Sequence, residues 1–583
     1  MKERSPLSHQ LSEAVLIAVH KMFDSPPEIP IVVKQASSPT FGDYQTNCAM
    51  VLAKKVGQKP LSLAQEIADL IESPLVDSVT TAPPGFINIT LNHTSLEDGV
   101  NYLTEDPRLG CPLPQEKERI IVEFSSPNVA KQLHVAHLRS TIIGDAIARL
   151  FEFVGHQVIR LNHIGDRGTP FGMLIAHMRK KGLAPSSLEA VDKAYKEARA
   201  HFDEDPDFAL EAQQEVVRLQ NKESDSIKRL EDICSISRKA FEEIYSLLNI
   251  SIEERGESFY ESLFPLMDED LRERGLSVIS DEANCIFLDA FKRKDGEPLP
   301  LIVKKKDGGF PYAMVDLAAM KYRSQEDHAQ RIIVVTDQGQ SLHFQMVHAA
   351  AVKAGYLDPD EVQFDHVTFG LVLGEQGSKI KSREGKAEKL IDLIQDAIEE
   401  ANRLMSGRLD CDPEKKKDIA QRIGIGALKY ADLSCQRTKN YVFSPSRMLR
   451  FEGNTAPFLL YGYVRMASLF RKATVQGTFA EGTNTEGIMV ESDTFSILHP
   501  SERSLALHLC QFPEMVEVTT KDLMPHHIAE YLYRLVEKFN AFFRDCRVLG
   551  DSKERSRLQL CSVCQKVLQQ GLHLLGIETV DYM

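Results

Sequence analysis

An apolar run, Ile120-Ile121-Val122-Glu123-Phe124, stops at the polar loop Ser125-Ser126-Pro127-Asn128; a helical segment follows from about His137 to Val154, and then a second strand-like stretch, Gln157–Asn162. Strand, loop, helix, strand is the order of a parallel βαβ unit, in which the crossover helix covers the strands it joins. Further strand-like runs, Arg331–Thr336 and Val362–Leu373, come only much later in the chain. A parallel sheet split by an insertion is the expected centre of the molecule. Residues 188–250, highly charged and helical in pattern, belong to that insertion.

At 583 residues the chain is too long for one domain, and length alone suggests about three or four. Residues 1–110 combine an amphipathic helix (Leu7 to Phe23), a helix around Leu61–Ile71 and strand-like pieces such as Gly85–Thr90, the pattern of a small α+β domain. Cys111–Glu118, with two prolines, reads as a linker. After Gly385 the pattern is almost wholly helical, with segments near 386–405, 420–434, 454–472, 499–518, 525–546 and 553–575; the Gly- and Thr-containing stretch 476–493 reads as a surface connection. The expected division is therefore 1–110, an α+β domain; 111–385, a Rossmann-like parallel-sheet domain with a helical insertion at about 175–300; 386–450, a helical connector; and 451–583, a helical bundle.

Apolar residues at 43% and charged residues at 26% are ordinary for a globular chain. The net charge of −15 means that any nucleic-acid contact must come from local basic patches. Ten cysteines without a dense framework fit a reducing compartment. The first apolar run, Ala14–Val19, is too short for a signal peptide or a membrane span, so a soluble cytoplasmic protein is expected. Cys561-Ser562-Val563-Cys564 has CxxC spacing, but with no second pair in a leucine-rich helical stretch it reads as two core thiols.

In open α/β sheets ligands sit at the carboxyl edge of the strands, and the segment Ser126–His137 lies there. Its His134 and His137, near a helix N-terminus, suit phosphate, and Lys131 adds a positive charge. Zinc fits poorly, because the metalloprotease motif spaces its histidines four apart beside a Glu. Neither a GxxxxGK[ST] loop nor a GxGxxG after this strand is present.

The run Ser126–Asp145 (SPNVAKQLHVAHLRSTIIGD) resembles the HIGH region of class I aminoacyl-tRNA synthetases in its arginyl form. Asn162-His163-Ile164-Gly165-Asp166-Arg167-Gly168-Thr169-Pro170-Phe171-Gly172 is similar to that family's second motif, Phe41–Gln45 and Pro84–Asn88 to its N-terminal domain, and Phe451–Phe458 to the start of its anticodon-binding domain. The likeness runs in matched order to Gly576–Val580. It implies the bacterial-type enzyme that activates L-arginine with ATP, accompanied by Mg²⁺, and charges tRNA(Arg); tRNA-dependent activation, a monomer and no structural metal are the family expectations.

For ATP the resemblance implies Pro127, Asn128, Val129, Ala130, Lys131, Gln132, Leu133, His134, Val135, Ala136 and His137. A KMSKS-like loop is matched in part by Lys379, Ile380, Lys381, Ser382 and Arg383; Lys379 takes the first lysine position, Ser382 the second, and Lys131 substitutes for the missing cation. Catalytic roles thus fall on Lys131, His134, His137 and Lys379. For arginine it implies Glu257 and Asp316 as carboxylates suited to forked hydrogen bonds with a guanidinium, with Tyr312, Gln340, Ser126 and Asn128 around them. Tyr312 and Asp316, four apart, share a helical face. Implied tRNA contacts are Phe86 and Asn88 in the N-terminal domain and Tyr461 and Arg465 in the helical one.

Three positions depart from the family pattern: Ala136 where HIGH has glycine, Arg167 where tryptophan is usual and Pro170 where glutamine is. The methyl of Ala136 bears on ATP, because glycine there lets adenine approach the backbone. The rival readings are a class I synthetase for another amino acid and a noncatalytic tRNA-binding paralogue.

Overall fold

The first strands build a small antiparallel sheet: β1 (Lys34–Gln35), β2 (Tyr44–Thr46), β3 (Val76–Ala82) and β4 (Phe86–Leu91), in the order β1-β2-β4-β3. Helices Leu7–Met22, Cys48–Val56 and Pro60–Leu70 pack beside it with their apolar faces inward. These coordinates are a computed structural model that describes residues 4–23, 29–374, 377, 389–406, 412–475 and 494–583.

The central sheet contains β5 (Arg119–Glu123), β6 (Gln157–Asn162) and β7 (Glu253–Glu254). After β8 (Val278–Ser280), β9 (Ala283–Lys292) and β10 (Pro298–Lys304), the chain returns to it with β11 (Arg331–Asp337) and β12 (Gln363–Phe369). Its order is β12-β11-β5-β6-β7 and every pairing is parallel. Helices cover a parallel sheet on both faces, so its middle strand should be apolar throughout, and Ile120, Ile121 and Val122 are all fully buried. The helix Val135–Val154 packs over β5 and ends at Gly155, whose left-handed backbone (φ 117°) closes the last turn on Phe151 O.

The insertion differs from the expected helical one. Four helices, Thr169–Lys181, Leu188–Glu204, Pro206–Gln220 and Ser224–Leu247, form its first part, but β7 then rejoins the main sheet and β8–β10 make a separate antiparallel sheet. These strands pair with one another, and their apolar residues Ile286, Leu288, Leu301 and Val303 face a core shared with helix Tyr312–Gln325. The stretch Val362–Leu373 is also divided, into β12 and a short β13 (Val372–Leu373) that pairs with β14 (Tyr441–Val442).

The helices Leu390–Met405 and Pro413–Leu433, expected as a connector, are packed elements that share one core with Val135–Val154 and the C-terminal helices. The stretch 499–518 is two helices, Pro500–Cys510 and Phe512–Asp522; Pro513 fits the first turn of the second but not the interior of a single one. Cys561 and Cys564 are fully buried in helix Glu554–Leu574, and burial pushes both thiols up. The 476–493 stretch lies outside the described residues.

Candidate active site

Between β5 and the helix Val135–Val154 the backbone takes turns that residues with a Cβ adopt reluctantly. Ser125, Ser126 and Ala130 have φ of 68°, 46° and 69°, each a conformation that costs on the order of 1 kcal/mol or more. Hydrogen bonds from three elements hold them: Ser125 N–H donates to Ser140 Oγ (3.0 Å), Ser126 N–H to Asn162 Oδ1 (3.0 Å) and Ala130 N–H to Ser237 Oγ (3.1 Å). Alongside, Val129 N–H donates to Gly165 O and Gly165 N–H to Pro127 O, both at 3.0 Å. A Cβ at Gly165 would collide with Asn128 Oδ1, so glycine there lets the Asn128 side chain keep its place between the two motifs.

This loop delivers a helix capped by histidine. His134 Nδ1 accepts from Ala136 N–H (3.3 Å), and His137 Nδ1 accepts from His134 N–H (3.1 Å), a reciprocal cap with the ring centroids 4.0 Å apart. With Nδ1 the acceptor on both rings, the hydrogen-bond network assigns the proton of each neutral imidazole to Nε2. Burial and then the neighbouring His134 push His137 down to about 3; burial and then Lys131 lower His134. Both rings are therefore neutral Nε2–H donors at the positive end of a helix.

A cleft of about 460 Å³ opens above the carboxyl ends of β5, β6 and β11. Asn128, His134, Ala136 and His137 line one side. Ser126, Glu257, Tyr312, Asp316 and Gln340 line it as well, so the six residues expected for arginine converge on one cavity. Glu257 opens a 3₁₀ turn, Glu257–Leu263, and its N–H donates to Ile164 O (3.0 Å). Asp166, from the second motif, fixes this turn by accepting from Ser258 N–H (2.8 Å) and Ser258 Oγ–H (2.5 Å). Burial first, and Asp316 next, push the Glu257 carboxyl up to about 8. Two carboxylates facing one cleft suit a cationic ligand that relieves their repulsion.

Four titratable lining residues escaped the sequence reading. His343 Nε2 lies 2.5 Å from Asp316 Oδ2, and Asp337 Oδ2 accepts from Gln340 Nε2 (2.9 Å), so each orients a neighbour. His163 is buried with both ring nitrogens lacking a hydrogen-bond partner among the described residues, and its Nε2 is 3.9 Å from Asp316 Oδ1. Glu123 is paired at 2.5 Å with the buried Arg323. His163 and Glu123 sit at the ends of β6 and β5, the only signal in the sequence; nothing local marks His343 or Asp337.

Of the expected nucleotide segment, Val129, Ala130 and Leu133 are buried in cores, Pro127 is buried and Gln132 and Val135 are partly buried, and none of these lines the cleft. Lys131 is exposed outside the cleft, with its Nζ 5.0 Å from the Tyr195 ring centroid. Lys379, Ile380, Lys381, Ser382 and Arg383 lie outside the described residues. Beyond them, Lys389 pairs with His134 across an antiparallel bridge, and Leu390 N–H donates to Leu133 O (2.9 Å).

Each departure has a structural setting. The exposed Ala136 presents its methyl at the cleft wall. Arg167 places its guanidinium 4.8 Å from the Phe264 ring centroid, pairs with Glu261 (2.8 Å) and donates to Phe310 O (3.2 Å), tying the second motif to the loop before Tyr312. Pro170 occupies the first turn of Thr169–Lys181, where its missing N–H is tolerated.

Phe86 is half-buried; Asn88 is 5% exposed and its Oδ1 accepts from Gln45 Nε2 (2.6 Å), which commits that side chain to the β2–β4 pairing. Tyr461 is 47% exposed. The Arg465 guanidinium lies over Phe543 at 4.2 Å and donates to Asn540 (3.1 Å).

Comparison with known proteins agrees with this architecture. Residues 100–445 match the class I (R) tRNA synthetase catalytic domain, 459–583 the DALR anticodon binding domain and 9–91 the arginyl tRNA synthetase N-terminal domain. The chain is 44% identical over 590 residues to the arginine–tRNA ligase of Protochlamydia amoebophila and 45% identical over 579 residues to that of Chlamydia pneumoniae, covering 99% of each partner and of itself. It superimposes on the crystal structure of arginyl-tRNA synthetase from Plasmodium falciparum with a TM-score of 0.85, at 30% identity and complete coverage of both chains. With a matching catalytic-domain model over most of its length and full-length relatives well above 30% identity, the chain belongs to the arginyl-tRNA synthetases of class I.

Proposed function

We propose that this protein is an arginine–tRNA ligase whose cleft holds arginine by its guanidinium and ATP by its phosphates. The arginine carboxylate attacks the α-phosphorus of ATP, pyrophosphate leaves, and the terminal ribose hydroxyl of tRNA(Arg) then attacks the arginyl carbonyl and releases AMP. No protein nucleophile is needed; the work is positioning and charge stabilisation.

In this reading Glu257 and Asp316 receive the guanidinium, with Tyr312 and Gln340 beside them, and Ser126 and Asn128 hold the α-amino end. His134 and His137 donate from Nε2 to the phosphates, helped by Lys131 and Lys379; Mg²⁺ arrives with ATP as part of the substrate. Phe86, Asn88, Tyr461 and Arg465 are assigned to the tRNA-binding domains, Asn88 through the sheet it stabilises. The division 1–110, 111–385, 386–450 and 451–583 is kept as a functional one, elbow module, catalytic unit, connector and anticodon module. A cytoplasmic monomer completes the reading; no described helix is long and apolar enough to cross a membrane.

The single observation that supports it is the meeting, in one cleft, of two carboxylates with two neutral imidazoles at a helix N-terminus. Arginine-dependent ATP–pyrophosphate exchange, with and without tRNA, tests it. Exchange with arginine is the expected result; exchange with a different amino acid overturns the specificity, and none at all points to a noncatalytic paralogue.

A further inference from the structure

The nucleotide loop is built into the helical insertion rather than laid against it. Val129 and Ala130 are 2% and 1% exposed, inside an apolar cluster with Phe171, Leu174, Val191 and Ile233 of the insertion helices. Ala130 holds its left-handed backbone through Ser237 Oγ, on helix Ser224–Leu247.

Two polar contacts come from one further helix, Leu188–Glu204. Its buried face is Val191, Ala194 and Ala198, which leaves Glu189 and Tyr195 on its flanks. The Tyr195 ring lies under the Lys131 ammonium, 5.0 Å from centroid to Nζ, and Glu189 Oε1 pairs with Lys389 Nζ at 3.3 Å. Lys389 is the residue bridged to His134.

We propose that Tyr195 and Glu189 are positioning residues for adenylate formation: one helix of the insertion aims the Lys131 ammonium and anchors Lys389 beside His134, so that ATP capture depends on the insertion. Lysine is long and rotamer-rich, and an ammonium free in solvent spends little time over a phosphate site. An aromatic face holds it close while leaving its N–H groups available, and a phosphate then draws it from the ring. Glu189 acts in the same way on the chain segment that returns to the histidine cap. The inference rests on the reading of Lys131 as a phosphate-side cation.

The test uses the full chain with the variants Y195A, Y195F, E189Q, K131M and Y195A/K131M, reading KM and kcat in pyrophosphate exchange and the ATP Kd by calorimetry. Y195A is expected to raise the KM and Kd for ATP by about 3- to 30-fold, the range of a partly desolvated cation–π contact, with KM for arginine moving less than about twofold. Y195F, which keeps the ring, restores wild-type ATP binding. In the K131M background Y195A adds nothing, and E189Q weakens ATP binding in the same direction as Y195A. An undiminished Y195A effect without Lys131, equal loss in Y195A and Y195F, or unchanged ATP binding in Y195A overturns the proposal. Unchanged ATP binding in K131M removes the Lys131 assignment itself, whereas loss in K131M with none in Y195A removes only the role of the insertion; calorimetry reads both whichever amino acid is activated.

Discussion

Arg139 and Asp432 meet at 2.9 Å with both side chains fully withdrawn from solvent, one from the helix capped by His134 and the other from helix Pro413–Leu433. The same guanidinium donates to Gly370 O (2.7 Å) and Lys439 O (3.1 Å), so one buried cation joins the catalytic helix, the end of β12 and the C-terminal helices. Removing one partner strands the other charge in the core, and Asp432→Ala is expected to destabilise the protein by about 3–5 kcal/mol. The double variant Arg139→Met/Asp432→Leu should lose less than either single one. Urea unfolding midpoints decide it; a single-variant loss under about 1 kcal/mol means the pair is dispensable.

The histidine cap separates stability from chemistry. Asparagine is a good N-cap acceptor, so His134→Asn should keep the Ala136 N–H partner and change stability by less than about 0.5 kcal/mol. It removes the Nε2–H donor, and the exchange rate should fall about 100-fold, as when a single transition-state donor is lost. If the rate survives, the phosphate role of His134 is wrong. His137, held down to about 3, should give no activity step between pH 5 and 8.

With Glu257 receiving the guanidinium as proposed, arginine binding is expected to depend on pH. The Glu257 carboxyl is pushed up to about 8, so the empty pocket carries a proton at neutral pH that a guanidinium must displace. KM for arginine should therefore fall as pH rises from about 6.5 to 8, by at most about tenfold per unit. Its folded value lies above the unfolded 4.5. The stability it contributes without ligand is thus complete below about 4.5 and declines as pH rises through about 8. Glu257→Gln should flatten the KM profile and raise KM for arginine at least about 30-fold; a profile that keeps its slope would assign the titration elsewhere.

The Phe41–Gln45 motif joins the N-terminal domain to the helical one. Arg503 forks onto Asp43 with bonds of 3.0 and 2.6 Å and donates to Leu91 O (2.8 Å), and the buried Tyr44 OH donates to Glu514 Oε1 (2.8 Å). Because this contact sets the angle between the two proposed tRNA-binding modules, Arg503→Ala should raise KM for tRNA by about tenfold, the effect of a part-buried forked pair. KM for ATP and arginine should stay within about twofold. A parallel rise in all three would mean general destabilisation instead.

Local chemistry was enough to read the βαβ unit, the histidine-bearing helix start and most C-terminal helices, because apolar periodicity, prolines and caps act over a few residues. Val135–Val154, β6 and β11 lie close to where their patterns place them. Strands β7 to β10 were not legible: β7 has two residues, and β8–β10 gain order only by pairing with each other and burying their apolar sides on Tyr312–Gln325. The same limit divides the site. Ser126 to His137 is one continuous motif, but which few of 84 acidic residues face a cleft is decided by the sheet that brings Glu257, Asp316 and β5 together. Burial raises Glu257, and Tyr195 comes to rest under Lys131, only because residues far apart in the chain share one core. Sequence alone determined the local turns, the caps and the family; the tertiary structure decided which charges are desolvated and which side chains meet, since both depend on contacts that no short stretch contains.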